Sequence, residues 1–145
     1  GKMGDITKGT TILDGIISTV SKNTKVTYDI NGANGENASV GIIVIGERPY
    51  AEGVGDKEDL SISEEDLLVI ENMKKYNIPL VVIMLSGRPL TLDNHIAGWD
   101  AFLAAWLPGT EGDGVSDILF GDYKPTGRLS YEWPSNYKYR TGLTY

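Results

Sequence analysis

Two apolar runs limit the folds open to this chain more than any other feature. In the stretch VGIIVIGERPYAEGVGD, from Val40 to Asp56, four consecutive aliphatics (Ile42, Ile43, Val44 and Ile45) lead straight into Gly46. Farther on, Leu80 to Leu85 reads LVVIML directly after Pro79. Short unbroken apolar runs bounded by Gly and Pro describe strands buried on both faces, as in a parallel sheet. In open parallel sheets, ligands lie outside the carboxyl ends of the strands. The loop that leaves the first run carries two carboxylates, Glu47 and Glu52, a third at Asp56, and an aromatic at Tyr50. Function is therefore sought on this loop.

The segments around these runs read as alternating helix and strand. Thr10 or Thr11 is placed to cap a helix with apolar positions at Ile12, Leu13, Ile16, Ile17 and Val20, near 3.6-residue spacing. Lys25 to Ile30 (KVTYDI) alternates and is β-branched, which predicts a strand. Asn31 to Ser39 is a Gly/Asn loop, short for a connection between parallel strands. Ser63 followed by Glu64, Glu65 and Asp66 opens a second helix, and Lys74 and Lys75 suit its C-terminal end. A short helix is expected within Leu92 to Trp99, and a third apolar strand at Ala101 to Trp106. Thr110-Glu111-Gly112 opens a last helix with Val115, Ile118, Leu119 and Phe120 inward. Arg128 to Glu132 (RLSYE) alternates weakly, as an edge or antiparallel strand would. With no repeat, low-complexity tract or linker, residues 1–145 read as one α/β domain with a mainly parallel sheet.

Composition removes several function classes. The net charge of −7 argues against nucleic-acid binding, which needs a basic surface. The absence of cysteine excludes disulfides, thiolate catalysis and Cys-based zinc sites. No apolar run reaches the ~20 residues that span a bilayer, so no membrane role is expected. The start, GKMGDITKGTT, lacks the apolar core of a signal peptide.

Glu47 and Glu52 form the one constellation with a definite chemistry. Burial or neighbouring negative charge raises a carboxyl pKa and makes it a proton donor near neutrality. Glycosidases use two such groups, about 5–5.5 Å apart in retaining enzymes. The same residue types also fit a solvated acidic loop in which Arg48 pairs with one acid. Elsewhere, Ser86-Gly87-Arg88-Pro89 lacks the G-x-S-x-G elbow of a nucleophilic serine, and Arg88 reads as a residue tying loops together. His95, the single histidine, has no partner at a telling spacing. The glycines from Gly109 to Gly114 suit capping and tight packing better than anion binding. Trp99 and Trp106 fit the core, and Trp133 fits an exposed position. The order of Asp56, Glu58 and Asp59 does not match a calcium loop, and no metal or other cofactor is expected.

GERPYAEGVGD, VVIMLSGRPL, the block DAFLAAWLPGTEGDGVSDILFGDYKPTGRLSYEWP and the final GLTY together resemble the C-terminal sandwich domain of glycoside hydrolase family 3, from about Gly9 to Tyr145. The likeness is to β-glucosidases and β-glucan exohydrolases. It implies a three-layer α/β/α sandwich and a retaining, exo-acting mechanism on a β-glucoside or β-glucan oligosaccharide. The active site is shared with a (β/α)8-type barrel domain, and a secreted or periplasmic setting is favoured. In that family a Glu on the loop after a central strand is the general acid/base. Glu52, in A-E-G-x-G-D, matches it better than Glu47, which is kept as the alternative acid. Arg48, Tyr50 and Asp56 are supporting candidates for substrate binding.

Several family features are expected to be missing. The nucleophilic Asp belongs to the barrel, and the first sandwich strand and a Gly-Gly-Trp segment would precede Gly1. The helix usual between the second and central strands is replaced by Asn31 to Ser39. The chain thus reads as a trimmed or isolated piece, inactive alone. A non-catalytic module binding carbohydrate or a partner protein is the alternative.

Overall fold

The structure is a computed structural model and describes residues 4, 6–92, 95–129 and 133. Its centre is a three-stranded parallel sheet of β1 (Gly41–Gly46), β2 (Leu80–Leu85) and β3 (Ala101–Ala104), in the order β1-β2-β3. The register pairs Gly41 with Leu80 and Gly46 with Leu85, and then Val81 with Ala101 and Met84 with Ala104. The C-terminal ends of the strands therefore share one edge. α2 (Glu64–Lys74) connects β1 to β2, and a 3-10 turn (His95–Gly98) precedes β3.

Hydrophobic burial puts β2 in the middle. Leu80, Val82 and Met84 point to one face and pack with Ile43 and Ile45 of β1, Ile70 of α2, and Ile62, Leu90, Leu92 and Trp99. Ile83 points to the opposite face and is fully buried too. α1 (Ile12–Thr19) and α3 (Gly112–Phe120) pack on each other and bury Ile16 and Val115.

Local chemistry accounts for the helix ends. Thr11 caps α1 through its hydroxyl, which accepts from the Asp14 N–H at 3.1 Å, and Asp14 returns a bond to the Thr11 N–H. Such a capping box satisfies two otherwise orphan donors. Ser63 caps α2 by accepting from the Asp66 N–H. α3 begins without a side-chain cap at Glu111. Instead the Gly112 N–H donates to the Thr10 carbonyl at 3.0 Å, and Thr10 and Glu111 form a β-bridge. Gly112 thus serves close packing, since a Cβ there would fall 2.3 Å from the Thr11 backbone, whereas Gly109, at φ +60°, and Gly114 have open space around them.

Four expectations need correction. Lys25 to Ile30 forms no strand, and Tyr28 and Ile30 are 70% and 72% exposed. The loop from Asn31 to Ser39 is too short to return the chain as a parallel neighbour of β1, and among the described residues the alternating segment pairs with no strand. β3 ends at Ala104, two residues before Trp106, whose φ of 55° takes the backbone out of the strand. Phe120 is 42% exposed, while Val115 is buried and Ile118 and Leu119 half-buried. Trp133 is packed: its indole N–H donates to the Leu90 carbonyl at 2.7 Å and its ring meets Phe102 edge-on at 5.6 Å. Of the expected strand at Arg128 to Glu132, Arg128 and Leu129 are irregular, and residues 130–132 lie outside the described residues. Among the described residues no helix is long and apolar enough to cross a membrane.

Candidate active site

β1 ends at Gly46, and the chain then runs over the C-terminal edge of the sheet as an irregular loop to Asp56. Its regular feature is a tight turn around Glu52. The Gly55 N–H donates to the Ala51 carbonyl at 2.8 Å and the Asp56 N–H to the Gly53 carbonyl at 3.0 Å. Gly53 has φ +75°, a left-handed conformation that glycine adopts without steric penalty.

The two glutamates are treated differently by the fold. The Glu47 side chain is 10% exposed and faces Arg88, which leaves the end of β2. Arg88 Nη2 donates to Glu47 Oε1 at 2.7 Å, and Nε donates to Oε1 at 3.1 Å and to Oε2 at 3.3 Å. A guanidinium bound to a carboxylate through two nitrogens is among the stronger side-chain contacts in proteins. Arg88 Nη1 also donates to the Gly55 carbonyl at 2.7 Å, and the guanidinium carbon lies 4.4 Å from the centre of the Tyr50 ring. The carboxylate of Glu47 keeps the Arg88 pKa above its ordinary value. Burial, then the negative charge of Glu47, raises the Tyr50 phenol.

Glu52 is exposed and has no hydrogen-bond or ion-pair partner among the described residues. With Tyr50, Ala51, Gly55, Asp56 and Arg88 it lines an open cavity of about 290 Å³. Three of the five sequence candidates, Tyr50, Glu52 and Asp56, are therefore brought to one concavity. Glu47 lies in the ion pair, and its partner is Arg88 instead of Arg48. Arg48 reaches toward α2, 3.7 Å from Glu65, with both side chains more than four-fifths exposed. An ion pair that open adds little.

The packing around Tyr50 explains two glycines. A Cβ on Gly55 would fall 2.5 Å from Tyr50 Cδ2, and one on Gly87 would fall 2.6 Å from its hydroxyl oxygen. Any larger residue at either position displaces the ring. Ser86 is buried, and its hydroxyl donates to the Arg88 carbonyl at 2.6 Å. It shapes the turn that delivers Arg88.

One contributor escaped the sequence reading. Asp66 in the first turn of α2 is half-buried, and its Oδ2 accepts from the Gly46 N–H at 3.4 Å. Loss of solvent raises its pKa. In the sequence it is one of three consecutive first-turn acids, and nothing there separates it from Glu64 and Glu65. Among the described residues, no three His, Asp or Glu side chains gather as a cation site.

The family model for the glycosyl hydrolase family 3 C-terminal domain matches residues 1–144. The periplasmic beta-glucosidase of Salmonella typhimurium is 35% identical over 101 residues, covering 68% of this chain and 13% of that protein. The lysosomal beta glucosidase of Dictyostelium discoideum is 36% identical over 101 residues, covering 68% of this chain and 12% of that protein. The chain thus spans roughly an eighth of the length of these relatives. Among solved structures, the exo-1,3/1,4-beta-glucanase ExoP from a Pseudoalteromonas species superposes with a TM-score of 0.71 at 43% identity, over 77% of this chain and 14% of that one. On a whole-length family match and a shared fold, the chain belongs to the family of glycosyl hydrolase family 3 C-terminal domains.

Proposed function

We propose that this chain supplies the general acid/base of a retaining, exo-acting β-glucosidase or β-glucan exohydrolase, with Glu52 as that group. The observation that carries the reading is the division of labour on the loop. Arg88 takes up Glu47, while Glu52 stands on the wall of the cavity with no partner among the described residues. An unpaired carboxyl at the C-terminal edge of a parallel sheet is available to a ligand. It gains proton-donor character when a second surface closes over it and removes water.

The reaction then runs in two steps. Glu52 gives its proton to the glycosidic oxygen as the bond from C1 to that oxygen breaks, and an Asp of a barrel domain bonds to C1. Glu52, now a carboxylate, takes a proton from water as the water oxygen attacks C1 and expels the Asp, so the anomeric configuration is retained. Tyr50 and Asp56 flank the sugar in the same cavity. The nucleophile comes from the barrel, so the 145-residue chain alone does not turn over glycosides.

The test is alkyl β-glucoside hydrolysis by the domain together with its barrel. Glu52→Gln is expected to lower the rate by about 10²–10⁴-fold, the usual share of general acid–base catalysis. Wild-type rates in Glu52→Gln would rule out the assignment. Loss in Glu47→Gln alone would transfer the role to Glu47. A chain that binds the sugar yet shows no turnover with any barrel would instead be a non-catalytic carbohydrate module.

A further inference from the structure

We infer that Arg88 is the positioning residue for the acid/base, setting where Glu52 stands over the cavity; this rests on the reading of Glu52 given above. The loop from Glu47 to Asp56 belongs to no strand or helix. Past the Glu47 N–H, which donates to the Leu85 carbonyl at 3.0 Å, its backbone bonds among the described residues lie in the turn around Glu52 itself. One guanidinium grips both of its ends. Nε and Nη2 hold the Glu47 carboxylate where the loop starts, Nη1 holds the Gly55 carbonyl where it closes, and the guanidinium carbon sits over the Tyr50 ring between them. Glu52 occupies the turn inside this grip.

Arg88 is itself anchored. The buried Ser86 donates through its hydroxyl to the Arg88 carbonyl, and the Ser86 N–H donates to the Trp106 carbonyl at 3.1 Å. Trp106 has φ 55°, a left-handed conformation unusual for a bulky residue, right after β3. The placement of Glu52 is thereby referred through Arg88 and Ser86 to the ends of β2 and β3. Lysine cannot substitute, because a single ammonium cannot reach a carboxylate, a carbonyl and a ring face in three fixed directions.

Leaving groups of different basicity test this in the complete enzyme. A dinitrophenolate departs without a proton, whereas an alkoxide needs one. For Arg88→Met, kcat/KM toward an alkyl β-glucoside should fall by about 10²-fold, the cost of a displacement near 1 Å. Toward dinitrophenyl β-glucoside it should change by no more than a few-fold. Glu52→Gln should show the same pattern more strongly, and Arg88→Lys should not restore the alkyl rate. If Arg88→Met does not fold, Arg88→Met/Glu47→Leu removes the unpaired carboxylate and carries the same test. Equal losses for both leaving groups in the Arg88 variant, with Glu52→Gln still selective, would overturn the positioning role and leave the acid assignment standing. A Glu52→Gln variant without leaving-group dependence would remove both.

Discussion

A carboxylate withdrawn from water requires compensation, and this requirement separates the glutamates of the loop after β1. Glu47, 10% exposed, receives three hydrogen bonds from one guanidinium. Removing its charge leaves Arg88 against the Gly55 carbonyl and the Tyr50 ring without its hydrogen-bonded counter-ion. Glu47→Gln is therefore expected to destabilise the domain by about 1.5–3 kcal/mol, the range for hydrogen bonds to charged groups. Glu52→Gln, at an exposed turn, should stay within about 0.5 kcal/mol of wild type. Urea unfolding of the two variants decides the matter, and equal costs would mean that Glu52 is also held by the fold. The sequence alone shows two acids close together on a Gly/Pro loop and cannot tell which one is buried. The partner that decides it, Arg88, lies on a different strand end. Its role in tying loops was legible from SGRP, but its choice of Glu47 was not.

At the scale of elements, β1 meets α2 through a contact that belongs to neither. Gly46 is the last residue of an edge strand, and its N–H is met by the half-buried Asp66. The folded-state pKa of Asp66 is raised, chiefly by burial, so the native state holds this proton more tightly than the unfolded chain does. Its contribution to stability is full below the ordinary Asp value and is lost as pH rises through the elevated folded value. Asp66→Asn keeps an oxygen acceptor for Gly46 and removes the desolvated charge. It should raise stability at pH 7 by less than about 1 kcal/mol, since the group is half in water. The gain should disappear near pH 3. Chemical denaturation at the two pH values tests this, and a variant less stable than wild type at pH 7 would show that the charge serves the helix dipole more than burial penalises it. Helices and central strands were legible because caps, apolar spacing and Gly or Pro stops agree at Thr11, Ser63, Gly46 and Pro79. Lys25 to Ile30 was misread because alternation reports strand character without reporting whether a neighbour exists.

Across the whole molecule, the sheet is covered unevenly, and this bears on how the acid is held. Val44 and Ile83 are register partners on the same face of adjacent strands, yet Ile83 is fully buried and Val44 is 44% exposed. Cover on that face, among the described residues, reaches β2 and stops short of β1. Among the described residues, the strand that delivers the acid loop is thus paired on one side only, and beyond its backbone bonds to β2 its tip is held by contacts from Arg88 at the end of β2 and Asp66 of α2. This asymmetry predicts unequal costs for truncating the two partners. Ile83→Ala empties a closed site and should cost about 2–5 kcal/mol. Val44→Ala removes methyl groups that already touch water and should cost no more than about 1 kcal/mol. Urea midpoints with matched slopes measure both. Costs of similar size would mean that β1 is covered like β2, and the dependence of its tip on the two side-chain contacts would lose its structural reason.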